Sequence, residues 1–319
     1  MKPTITVVTT MYCSEKTLEE FYRRTLSAIN AIDCNIKSIV FVDDGSPDNS
    51  LEVALQIQKK DQRVQVLELA KNFGHHASIM AGLEYCSSDL VFLIDCDLEE
   101  HPEWICSFYK TLISDELDVV FGKQLVRRGS KLHQLLGSCY YSVFRLLSGI
   151  NQPSNITTAR IMKKNYVEAL LMHKEKELSI GGIWIETGFK QKAVGIKKED
   201  SSPTTYTFSK RSSVLLKALT SFTNVPLYIN FFIGILIVLV SFLMGLYFVT
   251  QYLVNDTNVS GFTSLAILIL LTLGVISLSN GINSIYIAKI FSEVKNRPRH
   301  IVRKFHTFNE QNTKVNEDE

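Results

Sequence analysis

Two acidic clusters sit where apolar runs end. The first is Asp95-Cys96-Asp97-Leu98-Glu99, which follows the wholly apolar run Leu90–Ile94. On an extended backbone alternate side chains share a side, so Asp95, Asp97 and Glu99 are predicted to project together. Three carboxylates on one side repel unless a cation compensates. Hard oxygen donors suit Mg²⁺ or Mn²⁺, ions that also hold a diphosphate. The competing reading is a solvated acidic loop, and the apolar run leading into the cluster argues for the metal site. The second cluster, Asp43-Asp44, follows Phe41-Val42 and runs into Gly45-Ser46-Pro47-Asp48. Gly45 permits a sharp turn, but such a stretch is also ordinary turn and cap chemistry. Alone, this pair leaves both readings open.

Positioning such groups takes a scaffold, and the pattern supplies one. Strands are predicted at Thr4–Thr9, Lys37–Val42, Val64–Leu69, Leu90–Ile94 and Asp118–Gly122, alternating with helices near Glu15–Ile32, Ser50–Lys60, His75–Cys86 and Pro102–Ile113. Alternation of this kind implies an α/β fold with a mostly parallel sheet. Asp48 and Ser50 are natural caps for the second helix. Ligands of such sheets gather at the carboxyl ends of strands, where both acidic clusters fall. His75 and His76 open a helix and read as capping or base-contacting residues rather than proton carriers. No GxGxxG or Walker A segment follows a strand, which counts against dinucleotide binding and ATP hydrolysis. No Ser-His-Asp or Cys-His arrangement is evident.

Composition divides the chain. Of 319 residues 46% are hydrophobic, yet between Ala218 and Ala288 the single charged side chain is Asp256. The apolar runs Pro226–Val254 and Phe262–Ile287 each exceed the roughly 20 residues that cross a bilayer core, and neither has a polar face. Lys210, Arg211 and Lys217 precede the first, a basic cluster from Lys289 to Lys304 follows the second, and the loop between them has no Lys or Arg. The positive-inside rule then puts both ends in the cytoplasm. The expected organisation is a catalytic domain over 1–217, a two-helix transmembrane domain over 226–288 and a basic, then acidic, tail over 289–319. The stretches near 130–150 and 209–224 suit membrane-surface helices, with a packed core helix the alternative for the first. A net charge of +2 with no basic stripe argues against nucleic acid. Six cysteines show no CxxC pair; Cys34, Cys86 and Cys106 read as small core residues, and reduced thiols fit a cytoplasmic domain. No signal peptide is expected, because the chain opens into a strand. Gly234, Gly245, Gly274 and Gly281 suit close helix packing, so a homo-oligomer is one possible assembly.

The ordered segments VVTTMY (7–12), FVDDGSPDNS (41–50), NFGHHASIMAGL (72–83), DCDLEEHPEW (95–104), TARIMKKNYVEAL (158–170), GGIWIETGF (181–189), TTYTFSK (204–210) and AKIFSEVKNRPRHIV (288–302) resemble family 2 glycosyltransferases. The nearer likeness is to polyprenyl-phosphate sugar synthases with two C-terminal spans. The resemblance implies a GT-A-type nucleotide-sugar-binding domain and an inverting, metal-dependent transfer at the inner (cytoplasmic) membrane. It takes the sugar from a UDP- or GDP-hexose to a polyprenyl (undecaprenyl or dolichyl) phosphate. Thr10, Tyr12, Asp43, Asp44, Lys71 and Asp95 would bind the nucleotide-sugar, and Asp95, Asp97 and Glu99 the Mg²⁺ or Mn²⁺. Asp97, Arg160 and Glu175 would be catalytic, with Arg160 on the acceptor side. Arg127, Arg128, Lys131 and Lys210 would meet the lipid phosphate. The pattern departs at Thr10-Met11-Tyr12-Cys13, at Thr158, and at Lys197–Asp200, where an arginine is usual. Direct transfer to a lipid-linked glycan or other hydroxyl is the rival chemistry. A membrane-anchored nucleotide-sugar sensor or scaffold is the non-enzymatic rival.

Overall fold

The computed structural model describes residues 2–125, 155–175, 180–197, 225–255 and 261–308. The elements run β1 (Thr4–Met11), α1 (Leu18–Asn30), β2 (Asn35–Asp43), α2 (Ser50–Lys60), β3 (Val64–Leu69), α3 (His75–Glu84), β4 (Leu90–Leu93), α4 (Trp104–Ser114) and β5 (Val119–Gln124). They continue with β6 (Ile156–Lys163), α5 (Lys164–Leu171), α6 (Ile180–Glu186), β7 (Gln191–Ile196), α7 (Val225–Asn255), α8 (Phe262–Val294) and β8 (Val302–His306). The chain forms two compact units, one built on the sheet and including β8, the other built on α7 and α8.

One eight-stranded sheet has the order β7-β5-β6-β4-β1-β2-β3-β8. β1 pairs in parallel with β2 and β4, β2 with β3, and β5 with β7, whereas β6 and β8 run against their neighbours. The carboxyl ends of β1, β2, β3 and β4 therefore share one edge. Alternation along the strands divides the core. Ile39 and Phe41 of β2 pack with Phe21, Ile57 and Phe108 on one face, and Val40 and Val42 pack with Ile79, Leu83 and Tyr166 on the other. At roughly 1.5–3 kcal/mol for each large apolar side chain buried, the two-sided core makes the strand ends a rigid platform. α3 lies close on this platform because Gly82 has no Cβ. A methyl there would meet Val8 and Val42 side chains at 2.6 and 2.8 Å.

The second unit holds two helices with apolar windows, Leu227–Met244 with mean hydropathy 2.5 and Leu271–Val294 with 1.3, neither covered by protein. Exposed leucine, isoleucine and phenylalanine run along both, and the Ser279 hydroxyl donates to Asn230 Oδ1 across them at 2.7 Å. The helices expected near 130–150 and 209–224 lie outside the described residues.

Three strands were not anticipated from sequence: β6, β7 and β8. β8 falls within the segment read as a basic tail. The cap of α2 also differs in detail. Asn49 is the cap residue, and Asp48 Oδ1 accepts the Ser50 N–H at 3.2 Å and its hydroxyl at 2.6 Å.

Candidate functional site

A cavity of about 160 Å³ opens at the carboxyl edge of the sheet, lined by Thr10, Met11, Tyr12, Asp44, Asn72, Gly74 and His75. Its floor is the end of β1, and its walls are the turn after β2 and the loop joining β3 to α3. Tyr12 is half exposed beside it, an aromatic face of the kind on which a flat base stacks.

The walls are tied together by Asp44. Its Oδ1 accepts the Phe73 N–H at 2.7 Å and its Oδ2 the Gly74 N–H at 3.0 Å. Each carboxylate oxygen keeps further acceptor capacity. Gly45 makes this approach possible. Its φ is +65°, and a Cβ there would lie 2.7 Å from the Asn72 nitrogen and from the Lys71 carbonyl carbon. Lys71 itself points out, with Nζ 5.2 Å from the centre of the Phe73 ring. Asp43 does not line the cavity. It is buried beneath the turn, accepts the Ser46 N–H at 3.1 Å, and sits beside Glu68 in register on β3.

Burial first, then the neighbouring Glu68 and Asp44 charges, push the Asp43 carboxyl up to about 6. A carboxyl raised on folding binds protons more readily folded than unfolded, so its ionisation costs stability as pH rises from about 4 through 6. Asp43→Asn keeps the acceptor for Ser46 and removes that charge. The variant is expected to gain roughly 1–2 kcal/mol over the parent at pH 7.5 and nothing at pH 4, read as the difference in Tm at the two pH values.

The Asp95–Glu99 cluster is a turn, not an extended run. β4 ends at Leu93, Leu98 adopts φ +65°, and Asp97 Oδ1 accepts the Glu99 N–H at 2.9 Å. A short carboxylate that satisfies a backbone N–H two residues on competes with strand geometry and wins here. Consequently Asp95, Asp97 and Glu99 do not line up as alternate residues. Among the described residues no group of three or more His, Cys, Asp or Glu closes on a common point. Asp95 is the half-buried member at the strand end, and Asp97 is exposed. One or two carboxylates with a diphosphate completing the shell is the usual protein share of a Mg²⁺ site, and Asp95 with Asp97 fit that share.

Two further residues belong at the site: His75, which the sequence left between capping and base contact, and Glu100, which it did not place there. His75 faces Asp95, Nε2 to Oδ1 3.6 Å, while its Nδ1 lies 3.0 Å from the Thr10 hydroxyl. It links the cavity to the acidic turn instead of capping α3. Glu100, fully buried, accepts the Thr158 and Ala159 N–H groups at 3.1 and 2.7 Å and so clamps the turn onto β6. Nothing local distinguishes it from Glu99, since its partners lie 58 residues away or more.

Arg160 is 1% exposed on β6. Its guanidinium donates to the Thr157 and Thr158 carbonyls at 3.2 Å and lies against the rings of Trp184 and Phe121. Burial pushes it down to about 9, still a cation at neutral pH. Glu175 follows α5, is exposed, and pairs with His173 at 3.5 Å. Arg127, Arg128, Lys131 and Lys210 lie outside the described residues.

The family model for glycosyl transferase family 2 matches residues 6–171. A glycosyltransferase-family protein of Mycobacterium tuberculosis is 39% identical over 302 residues, covering 95% of this chain and 88% of the relative. The chain belongs to family 2 of the glycosyltransferases. Its sheet is the mostly parallel α/β arrangement of a GT-A domain. A bactoprenol glucosyl transferase of Shigella phage SfII is 28% identical over 308 residues, 96% of this chain and 99% of that one. Among solved structures, mannosyl-3-phosphoglycerate synthase from Rubrobacter xylanophilus superposes with a TM-score of 0.48 at 15% identity, over 69% of this chain and 73% of that one. As a family 2 member the chain is a transferase.

Proposed function

We propose that this glycosyltransferase moves a hexose from a UDP- or GDP-sugar to a polyprenyl phosphate at the cytoplasmic face of the membrane, with inversion. The observation that carries the proposal is the continuity of the cavity walled by Thr10, Tyr12 and Asp44 with Asp95 through His75. It gives a nucleotide end and a diphosphate end on one sheet edge. The end-to-end match to a bactoprenol glucosyl transferase supports a lipid phosphate acceptor. A divalent ion bound at Asp95 and Asp97 would neutralise charge on the leaving nucleoside diphosphate. Tyr12 stacks the base, Asp44 fixes the loop around it, and Thr10 orients His75 toward the acidic turn. A phosphate monoester acceptor is already an anion near neutral pH, so it needs orientation and cations more than a base. Arg127, Arg128, Lys131 and Lys210 are the proposed partners for it.

Chain path supports the topology. The sheet unit includes residues before α7 and after α8, so two crossings return the chain to the face it left, in keeping with the basic flanks. The test offers purified protein a panel of UDP- and GDP-sugars with undecaprenyl phosphate and Mg²⁺ or Mn²⁺. A lipid-linked sugar from one donor is expected, lost on chelation. Transfer only to a hydroxyl acceptor, or no transfer from any donor, sinks the proposal.

A further inference from the structure

β8 lies beyond the apolar helices in sequence, yet it borders the nucleotide end of the site. It pairs antiparallel with β3, with Lys304 opposite Glu68. Glu68 in turn is the register partner of Asp43 on β2. Two nearly buried carboxylates thus stand side by side. Side chains from β8 meet the outer one: Arg303 Nη1 lies 3.0 Å from Glu68 Oε1, and His306 Nε2 3.1 Å from Oε2. The same segment grips the start of the cavity loop. The Ala70 N–H donates to the Ile301 carbonyl at 2.8 Å, and Arg303 Nη2 donates to the Ala70 carbonyl at 3.0 Å. The Gln58 amide donates to the His306 carbonyl at 2.5 Å, and the Phe305 ring lies on Tyr85, centres 4.5 Å apart. Directly after Ala70 come Lys71 to Gly74, the loop whose Asn72 and Gly74 line the cavity and whose amides hold Asp44.

We infer that β8 is a working part of the donor site, in which Arg303 and His306 act as positioning residues for nucleoside diphosphate binding. Arg303 compensates the charge of Glu68 beside Asp43, His306 holds the other carboxylate oxygen, and the two anchor the Ala70–Gly74 loop. Removing the partners of a buried charge leaves it uncompensated, and the nearest relief for Glu68 is displacement away from Asp43, which drags β3 and the loop it leads into. An edge strand with three basic residues in Val302–His306 also shields the β3 edge from other chains, but shielding alone needs no contact with Glu68. The donor site is complete only once the chain following α8 has returned to the sheet. This inference rests on the donor reading above.

The test uses the full-length chain carrying Arg303→Ala and His306→Ala together. Its Kd for UDP or GDP, whichever the parent binds, is expected to rise at least about tenfold, and KM for the sugar nucleotide with it. Turnover at saturation should stay within about threefold. Adding Glu68→Gln, which removes the stranded charge, is expected to bring Kd back to within about threefold of the parent. Arg303→Lys is expected to retain most of the affinity. Hydrogen exchange at the Phe73 and Gly74 amides, which requires no ligand, should speed up at least about tenfold in the double variant. Unchanged Kd with unchanged exchange overturns the inference, as does failure of Glu68→Gln to restore binding. A parent that binds neither nucleotide overturns the donor reading instead, and the exchange result still decides the role of β8.

Discussion

Asp97→Ala is expected to lower sugar transfer by roughly 10³-fold while the protein stays folded. Both halves follow from where the residue sits. Asp97 is exposed, and its hydrogen bond to the Glu99 N–H at 2.9 Å lies within its own turn. Losing one such bond costs about 0.5–1.5 kcal/mol, less when water can replace it. For a domain of this size that is a fall in Tm of no more than about 6 °C. The catalytic cost is larger because the leaving diphosphate gains charge in the transition state, and preorganised compensation of that charge is worth about 10²–10³ in rate for each contributing group. Asp97→Asn separates the two roles. It keeps an oxygen for the Glu99 N–H and discards the charge, so it should melt like the parent and still fail in transfer. Initial rates with the accepted donor across a Mg²⁺ and Mn²⁺ titration, beside melting curves, make the measurement. Near-normal turnover in either variant removes the metal role assigned to Asp97.

The parts of this protein legible in sequence were those whose signal is local. β1 to β5 and α1 to α4 lie where apolar runs and helical spacing put them, because two-sided burial forces strands such as Leu90–Leu93 to be wholly apolar. The two acidic clusters stood out because charge following such a run is costly without a reason. What failed was non-local or depended on side chains competing with backbone. The extended reading of Asp95 to Glu99 did not allow for the bond Asp97 makes to the Glu99 N–H, which goes with a turn. Glu100 is invisible locally because the groups it satisfies are on β6. β6 itself is masked by Arg160 at its centre, a residue that a strand tolerates only with the Trp184 and Phe121 rings and two carbonyls to receive it. β8 reads as a membrane-flanking basic stretch, and edge strands carry such charge by design against stray pairing. His75 was seen, but the strand-to-helix geometry that aims it at Asp95 is a property of the folded sheet.

Arg160→Ala is expected to act on the fold before it acts on the chemistry. The resemblance implies a catalytic Arg160 on the acceptor side. In the fold its side chain is already occupied and 1% exposed. Deleting it leaves a cavity against Trp184 and Phe121, frees the buried Thr157 and half-buried Thr158 carbonyls, and takes a favourable positive charge from the buried Glu100. Cavity formation and the stranding of buried polar groups each cost a few kcal/mol, so a loss of about 3–5 kcal/mol is expected, a fall in Tm on the order of 10 °C. Arg160→Lys should recover little of it, because a lysine cannot reproduce the planar fork that serves two carbonyls and lies on an aromatic face. Transfer per folded molecule, measured below the lowered transition with the acceptor varied, is expected to stay within about threefold of the parent. An unchanged Tm with a steep rise in acceptor KM is the contrary result, and it would support a role for Arg160 on the acceptor side. Because the guanidinium is committed to the sheet, the contact proposed with a lipid phosphate falls to other basic side chains, and Arg127, Arg128, Lys131 and Lys210 remain those proposed for it.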